Sequence, residues 1–357
     1  MRQDFSNTIV SEISNVVNYK RNGGGNDMKK CMNSSDDFVD ESLEGIYAAY
    51  PSFYQKGNGN HRAVVHSGKK DKVSIVTGGG YGHIPVFLGY VGDGLCDGAA
   101  VGNVFTSPSC EAILDATRAV YNEKGVLYLF GNYFGDGMNF EMAAEMAGME
   151  GIRTEIVKVS DDMASAPRSE YEKRRGIAGI CYAYKLAGAC AENGGSLDEV
   201  KRIAQKAVDN TSSYGVAFSS CTLPGAERPI FEINEQDMEI GMGIHGEPGV
   251  RRVRMMSSRD LAKELVQAIW KDLSMKESER VSVLVNGLGM TSREELFLFY
   301  RDAAQILAEK NITVVKALVG EYATSLEMAG LSLSILRLDE ETEPLLMQQE
   351  FTPFIRY

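Results

Sequence analysis

Glycine-punctuated alternation of strand and helix signals is the feature that most narrows what this chain can fold into. A β-branched run at 73–77 leads into Gly78, Gly79 and Gly80. Helical spacing follows at 111–122, then an apolar run of strand length at 126–130 ending on Gly131. An amphipathic helix is expected over 139–149, a strand over 154–159, and two successive helices over 175–193 and 196–209, parted by Gly194 and Gly195. In the second half, a strand at 281–285 runs through Asn286, Gly287, Leu288 and Gly289 to a helix near Thr291. Ser292 and Glu295 have capping-box spacing there and fix the helix start. Further strands are expected at 313–318 and 331–338. Strands that alternate with helices imply α/β architecture, here two α/β domains with largely parallel sheets. Ligands of such sheets sit beyond the carboxyl ends of strands, which points to the segments 78–83, 131–136 and 286–289.

The 357 residues leave room for two domains of ordinary size. A first α/β domain is expected over 28–210, carrying the glycine loop and Asp136, and a second over 211–357, carrying His245. The boundary falls after the paired helices and before the run at 214–218. Residues 1–27 read as an N-terminal extension, with Phe5, Ile9 and Ile13, joined by Val16 or Val17, on one face of a short helix and a glycine-rich linker at 21–27. Met28 looks like an alternative start, and the extension is given no catalytic role.

A net charge of −12 opposes nonspecific binding to nucleic acid or to anionic membranes, although a local basic cluster stands at Lys173, Arg174 and Arg175. The six cysteines form no CxxC pair and no zinc spacing, which fits a reducing compartment, with Cys96, Cys110, Cys181 and Cys190 reading as small core residues. No apolar run reaches membrane-spanning length and the N-terminus has no apolar signal core, so a cytoplasmic protein is expected.

Chemistry concentrates on two of the four histidines. His83 closes the run from Gly78 to Gly82, and His245 stands between Gly243 and Gly246, with Gly241 and Gly249 nearby. Glycine lets backbone approach a ligand closely, and a neutral imidazole can be a nucleophile, a base or a ligand near pH 7. Either histidine taken singly is most simply a surface residue on a turn; both in glycine-rich loops suggest a shared site. The glycine run is no dinucleotide fingerprint, since His83 stands where a third glycine would be. Neither a P-loop nor a protein-kinase signature set occurs, so the chain lacks familiar means of holding ATP. Asp136, between a strand and a helix, reads first as a helix cap and second as a general base. Asp161 and Asp162 read as solvated or capping carboxylates rather than as a metal pair.

Eight ordered motifs then converge. GGGYGHIP (78–85), GNVFTSPS (102–109), NYFGDGMNF (132–140), RRGIAG (174–179), GVAFSSCTLPG (215–225), EIGMGIHGEPG (239–249), VNGLG (285–289) and SLEMAG (325–330) together resemble the dihydroxyacetone-binding K subunit of the dihydroxyacetone kinase family. The resemblance runs from about Met28 to the C-terminus. It implies that His245 adds to the substrate ketone as a reversible hemiaminal, which rejects glycerol and other simple polyols. It implies that Asp136 is the base activating the attacking hydroxyl, that His83 hydrogen-bonds the substrate and assists that step, and that Gly80 offers it a backbone contact. It further implies no cofactor or metal on this chain. ATP with magnesium, or a tightly bound ADP rephosphorylated by a phosphotransferase-system phosphocarrier, is expected on a separate L-type nucleotide-binding subunit. A homodimer is implied as well. Because the sequence stops after the K-type segment, it is not expected to be the fused form of the kinase.

The dihydroxyacetone-specific members usually carry Ser and Glu where this chain has Tyr81 and Ile84, and Lys where it has Gly131. Here the pattern instead resembles the branch of erythrulose and related short-ketose kinases. Gly131 is expected to open volume beside the substrate for a larger ketose. An alternative function is a non-catalytic ketone sensor that coactivates a transcription regulator; the presence of Asp136 and His83 beside His245 favours the enzyme, since a sensor needs no base. An α/β hydrolase is excluded by the lack of a GxSxG elbow.

Overall fold

The computed structural model describes residues 30–68 and 70–355, so the helix and linker expected within 1–27 lie outside the described residues. Two six-stranded mixed sheets organise the rest, each backed by helices. The first contains β1 (Tyr54–Gly57), β2 (Asn60–His66), β3 (Ser74–Tyr81), β4 (Gly98–Val104), β5 (Val126–Gly131) and β6 (Thr154–Val159), in the order β1-β2-β4-β3-β5-β6. Its centre is parallel, β4 with β3, β3 with β5 and β5 with β6, while the hairpin β1–β2 is added antiparallel at one edge.

Buried on both faces, β5 reads as an unbroken apolar run because each face meets a helical layer. Tyr128 and Phe130 pack with α2 (Cys110–Val120) and α3 (Phe134–Met149), while Leu127 and Leu129 face α4 (Ile180–Glu192) and α5 (Leu197–Asp209). Helix starts are marked as expected at α5, where Ser196 and Glu199 make a reciprocal capping box.

The second sheet contains β7 (Thr211–Ala217), β8 (Asp237–Ile240), β9 (Arg251–Arg254), β10 (Arg280–Gly287), β11 (Thr313–Gly320) and β12 (Gly330–Leu338), in the order β11-β10-β12-β7-β8-β9. One face is covered by α6 (Ser258–Asp272) and α7 (Arg293–Glu309), the latter opened by the Ser292–Glu295 box. The expectation of largely parallel sheets needs correcting here: only β10 and β11 run parallel, and the other pairings are antiparallel. A parallel return needs a crossover, which α7 supplies between β10 and β11. No crossover helix lies between β11 and β12, or within β7–β8–β9, so those strands turn back on themselves.

Helix α4 is the shared element. Eleven of its residues, from Ile180 to Ala191, are buried, as an all-round apolar helix must be. It packs under β5 on one side and meets Leu284 and Leu336 of the second sheet on the other, where the Tyr182 hydroxyl donates to Ser282 Oγ at 3.0 Å. The proposed division at residue 210 separates the strands of the two sheets, but the chain returns at its end: Asp93 and Phe351 exchange backbone hydrogen bonds of 3.0 Å.

The two halves are also joined by charge. Arg174, 1% exposed, grips Asp272 of α6 through two hydrogen bonds of 2.9 and 2.6 Å. Breaking one side of such a buried pair strands the other charge, so Arg174→Ala is expected to cost about 3–5 kcal/mol in urea unfolding, whereas an exposed pair is worth less than about 1 kcal/mol.

Candidate active site

Local backbone departs from the expected pattern where the site is built. Gly78, Gly79 and Gly80 do not form a loop but extend β3, because other chain segments press against them. A Cβ on Gly78 would lie 2.6 Å from the Ala100 carbonyl oxygen, and one on Gly80 would lie 2.6 Å from the Thr106 nitrogen. The strand therefore delivers His83 at its carboxyl end, against residues 105–106. Gly80→Ala must push backbone rather than a flexible side chain. It is expected to destabilise the fold by about 1–3 kcal/mol, as thermal melting of the variant would report.

His83 is 1% exposed, and its Nδ1 is 2.7 Å from the Thr324 carbonyl oxygen, so this nitrogen carries the proton and donates. Burial, and next to it the nearby charge of His245, pushes the His83 imidazolium down to about 3. The ring is thus neutral at pH 7, and its Nε2 is a buried acceptor with no hydrogen-bond partner.

His245 comes from the other sheet, in the loop between β8 and β9. Its ring stands edge-on to His83 at 4.7 Å and to Tyr133 at 4.7 Å, with Phe105 at 5.4 Å; Phe105 in turn stacks on His83 at 4.6 Å. The structure brings together the two histidines that the sequence singled out. They lie 162 positions apart and meet at the carboxyl ends of β3 and β8.

Glu247, which sequence reasoning missed, orients His245. Its Oε1 lies 3.1 Å from His245 Nδ1 and its Oε2 accepts from the His245 backbone N–H at 3.0 Å. Burial alone would raise this carboxyl, but the hydrogen bond and charge of His245, together with the Arg175 guanidinium, outweigh it and hold it at about 2. An ionised carboxylate only accepts, so Nδ1 keeps its proton, and in the neutral ring the lone pair is then on Nε2. The signal available in the sequence was the spacing: a carboxylate two residues beyond a glycine-flanked histidine.

Asp136 occupies the first turn of α3, 4% exposed, and the capping reading is overturned. The helix begins at Phe134, with Tyr133 at the N-cap and no side-chain cap bond. Gly135 and Gly137 hid this start, since glycine weakens helical propensity. Burial raises the Asp136 carboxyl to about 6, partly offset by the Ser107 hydroxyl and the His245 charge, and its Oδ1 has no hydrogen-bond partner.

Asp161 and Asp162 are both fully buried, correcting the solvated alternative. Asp161 accepts from the Ile177 and Gly179 N–H groups at 2.8 Å each, in the turn that leads into α4 and not as its N-cap, which is Gly179. Asp162 pairs with Arg175 at 2.7 Å. Among the described residues no group of His, Cys, Asp and Glu side chains has the arrangement of a metal site.

The expected room beside Gly131 is already filled. A Cβ there would lie 3.3 Å from the Tyr133 ring, so any influence of Gly131 on a ligand passes through Tyr133. Tyr81 points elsewhere: its hydroxyl bonds Ser42 and its ring packs edge-on to Phe38, both on α1 (Phe38–Ala49).

The Dak1 domain model matches residues 44–354. The chain is 45% identical to an L-erythrulose kinase of Pectobacterium atrosepticum, covering 88% of this chain and 54% of that protein, so it spans about half the length of that relative. It is 42% identical to the dihydroxyacetone-binding subunit DhaK of a phosphotransferase-system-dependent dihydroxyacetone kinase of Listeria innocua, covering 92% of this chain and 99% of that one. Among solved structures, the dihydroxyacetone kinase operon co-activator DhaQ superposes with a TM-score of 0.81 at 31% identity, covering 87% of this chain and 96% of that one.

Proposed function

Because the chain belongs to the Dak1-domain family, we propose that it is the ketose-binding part of a short-ketose kinase, forming a covalent hemiaminal on His245 and passing a terminal hydroxyl to a phosphoryl donor held by an L-type partner. The observation that carries this reading is the pair of buried, unpartnered acceptors, His83 Nε2 and Asp136 Oδ1, beside a histidine whose Nδ1 faces the Glu247 carboxylate.

The chemistry follows from those atoms. His245 Nε2 adds to the carbonyl carbon and the carbonyl oxygen takes up a proton. That proton comes from solvent and the Nδ1 proton is released to solvent past the Glu247 carboxylate, so protons balance, the adduct is neutral and it reverses by the same path. Polyols have no carbonyl and cannot be held this way. His83 Nε2 accepts a hydrogen bond from a substrate hydroxyl. Asp136 takes the proton of the terminal hydroxyl as its oxygen attacks phosphorus. Gly80 leaves backbone free to contact the substrate, and Gly131 acts through the Tyr133 ring.

ATP with magnesium, or a bound ADP recharged by a phosphocarrier, supplies the phosphoryl group on the L-type partner; this chain binds, orients and deprotonates the acceptor. The reading includes a homodimer and a cytoplasmic setting, to which six free cysteines are suited. Among the described residues no helix is long and apolar enough to cross a membrane.

The substrate is a three- or four-carbon ketose. Likeness to an L-erythrulose kinase, rather than added volume at Gly131, supports the four-carbon choice. Carbon NMR with C2-labelled dihydroxyacetone and L-erythrulose tests it: the carbonyl signal should give way to a hemiaminal carbon, and phosphate ester should form once the L-type partner and donor are added. No adduct with either ketose would sink the reading. An adduct that is never phosphorylated would favour a sensor, as the likeness to a co-activator allows, although such a protein needs no buried Asp136.

A further inference from the structure

Behind His245 lies a charged array that no step above uses. Arg175, in the segment between β6 and α4, donates through Nε to Asp162 Oδ2 at 2.9 Å, lies 2.7 Å from the same oxygen through Nη2, and reaches the Gly241 carbonyl oxygen at 3.4 Å. Its Nη1 lies 3.8 Å from Glu247 Oε2. Gly243 is a glycine where these groups crowd together: a Cβ there would sit 2.2 Å from Glu247 Oε2 and 2.8 Å from Arg175 Nη1. A cation from the first sheet's side is therefore packed against the loop that carries the nucleophile on the second.

We propose that Arg175 is a positioning residue that keeps the Glu247 carboxylate charged and in place, and so holds His245 in the tautomer whose Nε2 can attack a carbonyl. Only its consequence for ketone binding rests on the ketose-adduct reading; the tautomer itself is a property of the free protein.

The groups facing Glu247 make the argument quantitative in direction. His245 bonds it from its own loop, Arg175 faces it from the segment after β6, and Asp162 stands beyond Arg175. Tyr133 and His83, from the starts of α3 and of the segment after β3, both feel its charge. Arg175 thus lies between a buried carboxylate, Asp162, and a partly exposed one, Glu247. Removing it takes away the cation that faces Glu247 from outside its own loop and leaves Asp162 unpaired on the far side, and the carboxyl moves toward its neutral form. A protonated Glu247 can donate to Nδ1, which moves the ring proton to Nε2 and blocks attack. The sign follows: the carboxylate is the competent form, so competence lost in the variant returns as pH rises.

Two-bond proton–nitrogen correlation spectra of the full chain, labelled with ¹⁵N-histidine and recorded between about pH 6 and 9, test this without any ketone. In the wild type, His245 should be the Nδ1–H tautomer wherever its ring is neutral. Arg175→Met should show a growing share of the Nε2–H tautomer as pH falls, and Arg175→Lys, which keeps the cation, should restore the wild-type pattern. Arg175→Gln, which can still hydrogen-bond Asp162, replaces the methionine variant if that one does not fold. With labelled ketose, the neutral variants should bind about 10- to 100-fold more weakly at neutral pH, the scale found when the partner orienting a metal-bound imidazole is removed. An unchanged tautomer in both neutral variants overturns the assignment. Failure of the wild type to form an adduct while the tautomer responds to Arg175 would overturn the ketose reading and leave this one standing.

Discussion

His245→Ala is expected to abolish the ketose adduct and to lower kcat/KM by about a thousandfold or more, while leaving the fold intact. The magnitude comes from what the covalent bond does. It converts encounter with a small, weakly held ketose into an intramolecular arrangement beside Asp136, and effective molarities of that kind reach about 10⁵ M and above. The side chain removed is half-buried in a glycine-rich loop and contributes ring contacts to Tyr133, His83 and Phe105, so little of the core depends on it. The check is paired: carbon NMR should show a free carbonyl signal at every ketose concentration, and thermal melting should stay near wild type. Retention of the hemiaminal signal would move the nucleophile elsewhere.

Asp136→Asn separates binding from phosphoryl transfer. The adduct should persist, because Glu247 and His245 are untouched, while the transfer rate falls about 10²- to 10⁴-fold, the usual worth of a positioned base. In the wild type, the transfer rate should rise with pH through about 6, as the raised Asp136 carboxyl ionises. The adduct's own pH dependence, set by the His245–Glu247 pair, should be the same in both proteins.

The same substitution should stabilise the fold. A carboxyl whose folded pKa is raised binds its proton more tightly when folded. Below about pH 4 it is protonated in both states and costs nothing; as pH rises toward 6 the unfolded chain ionises first and stability is lost. Above that the penalty is complete, on the order of 2 kcal/mol. Asp136→Asn should therefore melt higher than wild type at pH 7 and like it at pH 4. A wild-type melting point that does not fall between those pH values, relative to the variant, would remove Asp136 from the role of buried base.

Much of this was legible in one dimension because the signals are local. The run at 126–130 had to be a two-faced buried strand, and the Ser292–Glu295 spacing had to start a helix, since each depends on neighbours within a few residues. The glycine-rich settings of His83 and His245 were visible for the same reason. Where glycine lowered local propensity, the reading slipped: α3 starts at Phe134 rather than at 139, and Gly78 to Gly80 continue a strand. In the second sheet, strand direction depends on whether a helix crosses over, and loop length alone did not reveal that β12 returns antiparallel.

By itself, then, the sequence determined the α/β class, most element positions and the two histidines and one aspartate on which the proposed chemistry rests. Only the tertiary structure decided what state those groups are in. The depressed His83 and the raised Asp136 result from burial, and Glu247 is held ionised against burial by His245 beside it and by Arg175 from a distant part of the chain. Arg175 meets Glu247 across 72 positions and His83 donates to the carbonyl of Thr324 across 241. Propensity acts along the chain, whereas desolvation and Coulomb forces act through space, and so a residue's identity could be read early but its protonation and tautomer could not.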